Sequence, residues 1–450
     1  MVEIKDLILE SQSIFTIQKL FIAFDILAFS MILPYLIRHF SHIELASGYL
    51  ICFLTPLPLL FFAKKLITRK FMFVAFIINF ISLFIFFVKP DIILMYIYFF
   101  LKGLIIFFFW TPYNIRYFTF SHSMNRATSA GHFIIVGPIL NSFIPLTSAF
   151  IITKLGYSVL ASLSFILVVI LLYKTLKLPK LDINYYFSGI FHKAKGMRTL
   201  KFLQGIWEAG LILIPLYTLF FIKDELSFGS YLVYLGLVGV IATLIVTRFS
   251  DRQHKRLKFF FPLLLLLSLA TLSLVYADSL IKWFIITASV SLISTITYPF
   301  FFAVVLDKIE DKSISMITRE YMLNFGRTVG VAGILLFSYF KLPLRYPFLF
   351  FGLSLIAYLL FLFRKKTYVD EAYHPLSPVV KVYDKSRNLV FKVYGWGKVV
   401  QLRNIPPKAT TKIFDGARWI TVSIKHIGEI TFNKLTKGNI ATLFRRMKKP

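Results

Sequence analysis

The stretch that organises this chain is KTLKLPKLDINYYFSGIFHKAKGMRTLK, Lys174 to Lys201. It carries seven Lys or Arg residues against a single acid, Asp182. So much charge cannot lie in hydrocarbon and must face water. On either side the sequence is apolar, and clusters of charge, Pro or Gly divide it into runs of about 20 residues, the length an α-helix needs to cross a bilayer. Six runs precede the stretch, at 15–36, 45–63, 71–88, 92–112, 129–153 and 156–173, and six follow it, at 202–222, 229–248, 257–276, 280–305, 321–340 and 344–363. The predicted fold is an all-α polytopic membrane protein of twelve transmembrane helices in two six-helix bundles, 15–173 and 202–363, joined by the central loop 174–201. Composition agrees: of 450 residues 58% are hydrophobic, 16% are charged and 52 are Phe, with a mean hydropathy of +0.75, far from the values of water-soluble domains.

The net charge is nonetheless +30, and its position gives the topology. Loops on the side of the N-terminus hold 21 Lys or Arg; those opposite hold 7. Basic residues stay with the cytoplasmic side, so both termini are expected in the cytoplasm of a multi-pass protein of the cell (plasma) membrane. Residues 1–14 read as an amphipathic segment leading into the first span. The tail, 364–450, carries 19 Lys or Arg and 5 acids, with no run long enough to span. Within it Ile413, Ala417, Ile420, Ile424, Ile427 and Thr431 recur at spacings of four and three. This predicts a basic amphipathic helix near 413–435, which either lies on anionic lipid headgroups or merely solubilises the tail. Val380-Lys381-Val382-Tyr383 and Phe391-Lys392-Val393-Tyr394 alternate apolar and basic residues, as a small strand pair would; disorder is the alternative there.

The two halves echo each other. Lys19 leads to Phe24-Asp25 and then Pro34-Tyr35 in the first span, and Lys201 leads to Trp207-Glu208, then Pro215 and Tyr217 in the seventh. Weak internal symmetry of this kind marks duplicated transporter halves. After the eighth span comes Thr247-Arg248-Phe249-Ser250-Asp251-Arg252-Gln253-His254-Lys255-Arg256. With the six-plus-six layout, this loop resembles the Gly-x-x-x-Asp-Arg-x-Gly-Arg-Lys hallmark of the major facilitator superfamily of secondary transporters. Asp251 and Arg252 match, Lys255 and Arg256 match in charge, and Thr247 and His254 replace the glycines. After the second span only Arg69-Lys70 of the hallmark remains, and Lys65 stands where the acid belongs. The proline-bearing fifth span, with Pro138, Pro145 and the turn Leu155-Gly156-Tyr157, is similar to the family's fifth helix. The resemblance implies alternating access by a monomer without cofactor, with a small-molecule substrate held between the bundles; uptake and efflux both stay open.

Charges inside the spans are the candidate mechanism. Asp25 lies about ten residues into the first span and Lys102 about ten into the fourth, so both reach mid-depth, roughly 15 Å from their own end. A desolvated carboxylate beside a cation can take up and release a proton, which makes Asp25 the foremost candidate for proton coupling. Glu208 and Arg327 share a second depth in the seventh and eleventh spans. His132, Asn141, Gln204 and Tyr298 are weaker substrate-cavity candidates, since each also suits an interhelical hydrogen bond. With so few charges in the spans, an amphiphilic or weakly polar solute is expected. Pro56, Pro112, Pro145, Pro215 and Pro299 are expected kinks.

Other classes fit less well. The short outer loops leave no room for the large catalytic loops of polytopic glycosyltransferases, and no Gly-rich phosphate loop is present, so neither an enzyme nor an ATP-driven pump is expected. His39, His42 and Glu44 form too sparse a set for a metal site, and Cys52 is a lone cysteine. The basic pI needs no nucleic acid, because positive-inside bias and the tail account for it. The remaining alternative is a transporter-fold protein acting as a scaffold, receptor or lipid-handling factor through its basic tail.

Overall fold

The computed structural model of the chain describes residues 2–84, 91–119, 126–179, 181–194, 196–218, 221–222, 225–253, 256–308 and 311–364, together with strands between 380 and 430. The chain forms two compact units, Met1–Val369 and Asp370–Pro450.

In the first unit the described residues of the predicted runs fall mainly on helix. The first is α1 (Val2–His39), in which the N-terminal segment and the span are one continuous helix of 38 residues. The second run is split into α2 (His42–Leu54) and α3 (Pro56–Phe62), because Pro56 has no N–H to give and Thr55 turns its hydroxyl back to the Ile51 carbonyl at 2.7 Å. Then come α4 (Thr68–Phe84) and α5 (Ile92–Ile105), the latter capped by Asp91. A π turn at Ile106–Trp110 leads into α6 (Thr111–Thr119). The fifth run divides into α7 (Arg126–Asn141) and α8 (Ile144–Leu155) just before Pro145, and α9 (Tyr157–Leu176) ends the N-terminal half. The short α10 (Phe187–Lys193) lies in the central loop. The C-terminal half consists of α11 (Met197–Thr218), α12 (Glu225–Gln253), α13 (Arg256–Ser273), α14 (Leu280–Lys308), α15 (Lys312–Tyr339) and α16 (Pro347–Arg364). Pro215 and Pro299 sit inside uninterrupted helices. Among the described residues, seven helical segments are long and apolar enough to cross a membrane. Large apolar side chains such as Phe143, Ile285 and Leu360 stand more than half exposed, the surface of a protein covered by lipid.

The C-terminal half is held by a close helix pair. A Cβ on Gly205 would lie 2.2 Å from the Leu323 carbonyl oxygen, and one on Gly326 would lie 2.1 Å from that of Phe202. Backbone therefore touches backbone between α11 and α15, with Gly326-x-x-x-Gly330 set against Gly205-x-x-x-Ala209 as in small-residue membrane interfaces.

The central loop is built into the N-terminal half. Strand β1 (Lys65–Ile67) pairs antiparallel with β2 (Asp182–Asn184). Lys65 Nζ meets Asp182 Oδ2 at 2.8 Å. The fully buried Arg116 donates from Nε to Thr68 Oγ1 at 2.8 Å and from Nη2 to the Pro179 carbonyl.

The second unit corrects the expected helix near 413–435. Where that stretch is described it is strand: β6 (Thr410–Phe414), β7 (Trp419–Ser423) and β8 (Glu429–Ile430). The remainder of the stretch lies outside the described residues. The expected strand pair is present as β3 (Val380–Tyr383) and β4 (Leu389–Val393), while β5 (Leu402–Arg403) pairs with β8. The sheet order is β4-β3-β6-β7, all antiparallel. The apolar spacing fits a helical period, but the β-branched and aromatic residues Thr410, Thr411, Ile413, Phe414, Trp419, Ile420, Thr421 and Val422 flank Asp415-Gly416, a hairpin signal. In the resulting register Lys392, Lys381 and Lys412 fall opposite one another across three neighbouring strands.

Candidate functional site

The two intramembrane ion pairs expected from depth are formed. In the N-terminal half Lys102 Nζ on α5 donates to Asp25 Oδ1 on α1 at 2.8 Å and to Asn79 Oδ1 on α4, also at 2.8 Å. The Asp25 side chain is 45% exposed and that of Lys102 17%. In the C-terminal half Arg327 on α15 donates from Nε to Glu208 Oε2 on α11 at 2.9 Å and from Nη2 to the same oxygen. Here the carboxylate is 3% exposed. Its other oxygen accepts from Gln204 Nε2 at 2.8 Å, and Gln204 Oε1 accepts from Lys201 Nζ at 2.7 Å. Lys201 is itself fully buried and also donates to the Phe301 carbonyl. One turn of α11 separates each of these side chains from the next, so Lys201, Gln204 and Glu208 form a single polar line along one helix face.

Between the halves lies a cavity of about 420 Å³. The N-terminal half contributes Phe53, Ile106, Trp110, Asn114 and Phe133, and the C-terminal half Glu208, Tyr298, Phe302, Arg319, Glu320 and Arg327. Arg327 also stands over the Phe53 ring, 5.4 Å from its centre. The halves meet again where Asn114 Nδ2 on α6 donates to Glu320 Oε1 on α15 at 3.0 Å, and where Phe118 stacks on Phe302 with ring centres 5.0 Å apart. Arg319 donates from Nη1 to the same Glu320 oxygen and lies 3.9 Å from the centre of the Phe302 ring. The expected cavity with few charges thus holds four, in two pairs that sum to zero.

Glu208, Arg327 and Tyr298 line this cavity; Gln204 reaches it through Glu208; Asp25 and Lys102 form a separate pair outside its lining. His132 is exposed on α7 and Asn141 is half-buried at its end, both apart from the lining. Of the loop motif, Asp251 and Arg252 end α12 and Arg256 begins α13, while Lys255 lies outside the described residues. Sequence reasoning missed Asn79, Asn114, Lys201, Arg319 and Glu320. Asn79 stood as a lone amide in an apolar run, a readable signal. Arg319-Glu320 reads as the polar opening of the eleventh span and Lys201 as the end of the central loop, so neither reads as part of a cavity. Glu44, weighed as a metal ligand, instead accepts from the Ser41 backbone N–H at 2.7 Å in a capping box.

No protein-family model and no curated protein sequence matches this chain. Solved structures do. The human organic anion transporter MFSD10 (TETRAN) superposes with a TM-score of 0.56 at 12% identity, over 78% of this chain and 99% of its own. The proton:xylose symporter XylE, solved with 6-bromo-6-deoxy-D-glucose, gives 0.57 at 11% identity, over 80% of this chain and 95% of its own. The chain shares its fold with these two proteins, the second of them a major facilitator superfamily symporter. Where the superfamily hallmark has an acid after the second span, this chain has Lys65, and the structure supplies the opposite charge from the central loop through Asp182.

Proposed function

We propose that the protein is a secondary transporter that moves a small solute across the cell membrane by alternating access, as a monomer with twelve spans and both termini in the cytoplasm. The observation that carries this reading is the cavity walled by both halves, with ion-paired Glu208 and Arg327 on its surface. A solute there lies between two bodies joined across α6 and α15 by the Asn114–Glu320 hydrogen bond and across α6 and α14 by the Phe118–Phe302 stack. Breaking those contacts opens a path on that side. The half-exposed Asp25, held by one cation and outside the cavity lining, suits proton coupling: protonation releases Lys102 and loosens α1 from α5. The tail is proposed to rest on anionic headgroups through its sheet, and the row Lys392, Lys381 and Lys412 supports this.

The test is transport by purified protein in liposomes under an imposed pH gradient, with a solute identified by thermal-shift screening across metabolite and drug classes. Asp25→Asn is expected to abolish gradient-driven accumulation and to leave counterflow exchange intact. Driven accumulation equal to the parent's removes Asp25 from the coupling role.

A further inference from the structure

We infer that the groove between α3, α10 and α15 is a binding site for a phospholipid with an anionic headgroup, taken from the leaflet on the side of the central loop. It is a site other than the cavity of the proposed solute.

Depth is the first ground. The helical segment His42–Phe62 is long and apolar enough to cross a membrane, and just past its end the chain has Lys64, Lys65, Arg69 and Lys70. The groove, of about 550 Å³, lies at this change from apolar to basic. Phe61, Phe62 and Lys64 line it from the N-terminal half, Phe187 and Phe191 from α10, and Tyr321 from α15. The rings adjoin one another: the centre of Phe187 lies 4.9 Å from that of Phe61 and 4.6 Å from that of Tyr321. Phe62 is 74% exposed. Rings left open at this depth lie among headgroups and the first acyl carbons, where aromatic side chains collect. The neighbour that the groove meets there is a lipid.

Charge is the second ground, and it selects among lipids. Lys65 is held by Asp182 Oδ2 at 2.8 Å, whereas Lys64 is exposed and makes no ion pair among the described residues. A second cation, Arg198, has its guanidinium 4.2 Å from the centre of the Phe191 ring. Among the described residues no Asp or Glu lines the groove. A zwitterionic headgroup brings its own cation to Lys64, while phosphatidylglycerol brings a net negative charge that a basic site at the membrane surface attracts. Its acyl carbons lie against the aromatic walls and its phosphate meets Lys64. Because the walls belong to both halves and to the loop between them, one lipid spans the seam on this side.

Lipid occupancy can be read at the groove itself. Ser188 is exposed on its lining, and the native thiol of Cys52 is buried, so a bimane fluorophore can be attached at Ser188→Cys in the full-length protein. Nanodiscs of phosphatidylcholine then receive a small proportion of phosphatidylglycerol or of phosphatidylcholine bearing a nitroxide quencher near the headgroup end of one acyl chain. Labelled phosphatidylglycerol is expected to half-quench the bimane at about one fifth of the proportion that labelled phosphatidylcholine needs, the preference one lysine near the surface supplies. Lys64→Gln should abolish this preference, Lys64→Arg should keep it, and Lys381→Gln in the tail should leave it unchanged. Phe62→Ala keeps the charge and removes part of a wall, so quenching by both lipids should weaken. A melting temperature equal to the parent's shows that each variant is folded. Equal quenching by the two lipids in the parent, a preference that survives Lys64→Gln or disappears in Lys381→Gln, or unchanged quenching in Phe62→Ala overturns the inference.

Discussion

Two acids hold corresponding places in the two halves, yet their surroundings assign them different work. Asp25 keeps 45% of its side chain exposed, whereas Glu208 keeps 3%. Breaking a half-solvated pair costs under about 1 kcal/mol, and removing one partner of a buried pair costs about 3–5 kcal/mol. Glu208→Gln should therefore lower the unfolding free energy of the detergent-solubilised protein several-fold more than Asp25→Asn. Adding Arg327→Met to Glu208→Gln should recover much of the loss, and equal losses for the two single variants would contradict this ranking. Both pairs were legible in the sequence because a charge within an apolar run has few explanations and depth can be counted. Lys201 was not legible. Its counterpart Lys19 is exposed over the Phe15 ring, while Lys201 is fully buried, and only tertiary packing separates the two.

Among the elements, the α11–α15 pair is the most constrained. Gly326 has no room for a methyl group, since its Cβ would lie 2.1 Å from a carbonyl oxygen, while a Cβ on Gly137 in α7 would meet nothing within 4 Å. Gly326→Ala is expected to destabilise by about 1–3 kcal/mol through overpacking. Gly137→Ala should be near neutral, because the backbone entropy it removes from the helix is offset by the strain of a Cβ on the residue before Pro138. Thermal or denaturant unfolding of the two variants side by side checks the contrast. Element positions were readable from apolar run length, and the helix breaks at Pro56 and Pro145 from the missing N–H. The tail's strands were not read in full because Ile413, Ile420 and Ile427 satisfy a helical period by coincidence. Side-chain periodicity alone does not weigh the hairpin signal at Asp415-Gly416. The pairing of β1 with β2 joins segments more than a hundred residues apart, which no local pattern encodes.

For the whole molecule, the expected six-plus-six division followed from one basic stretch, and that stretch proves to be structural, tied to the N-terminal half through β2 and Asp182. The halves are duplicated in outline but not in electrostatics: the first-helix acid is met by a cation on α5 in one half and on α15 in the other. Charge also governs the tail. Like charges directly opposite on neighbouring strands are unfavourable, and on the proposed headgroup reading an anionic surface would offset that at the register of Lys392, Lys381 and Lys412. In vesicles containing phosphatidylserine, proteolysis of the tail of the full-length protein should be slower than in neutral vesicles. The difference should vanish near 1 M salt, where the screening length falls to about 3 Å. Protection independent of lipid charge would contradict headgroup contact.

The π turn at Ile106–Trp110 sets the angular relation between the two ends of its span. A π turn holds one residue more than the α-turn it replaces, and each residue of an α-helix advances the side-chain direction by about 100° at 3.6 per turn. That extra residue lets Lys102 address Asp25 while Asn114, further along the same rod, addresses Glu320. The same residues wound as plain α-helix, without the π turn, would turn Asn114 by about 100° relative to Lys102. One inserted residue thus acts as a fixed phase shifter, through which a single helix serves its own bundle at one end and the opposite bundle at the other.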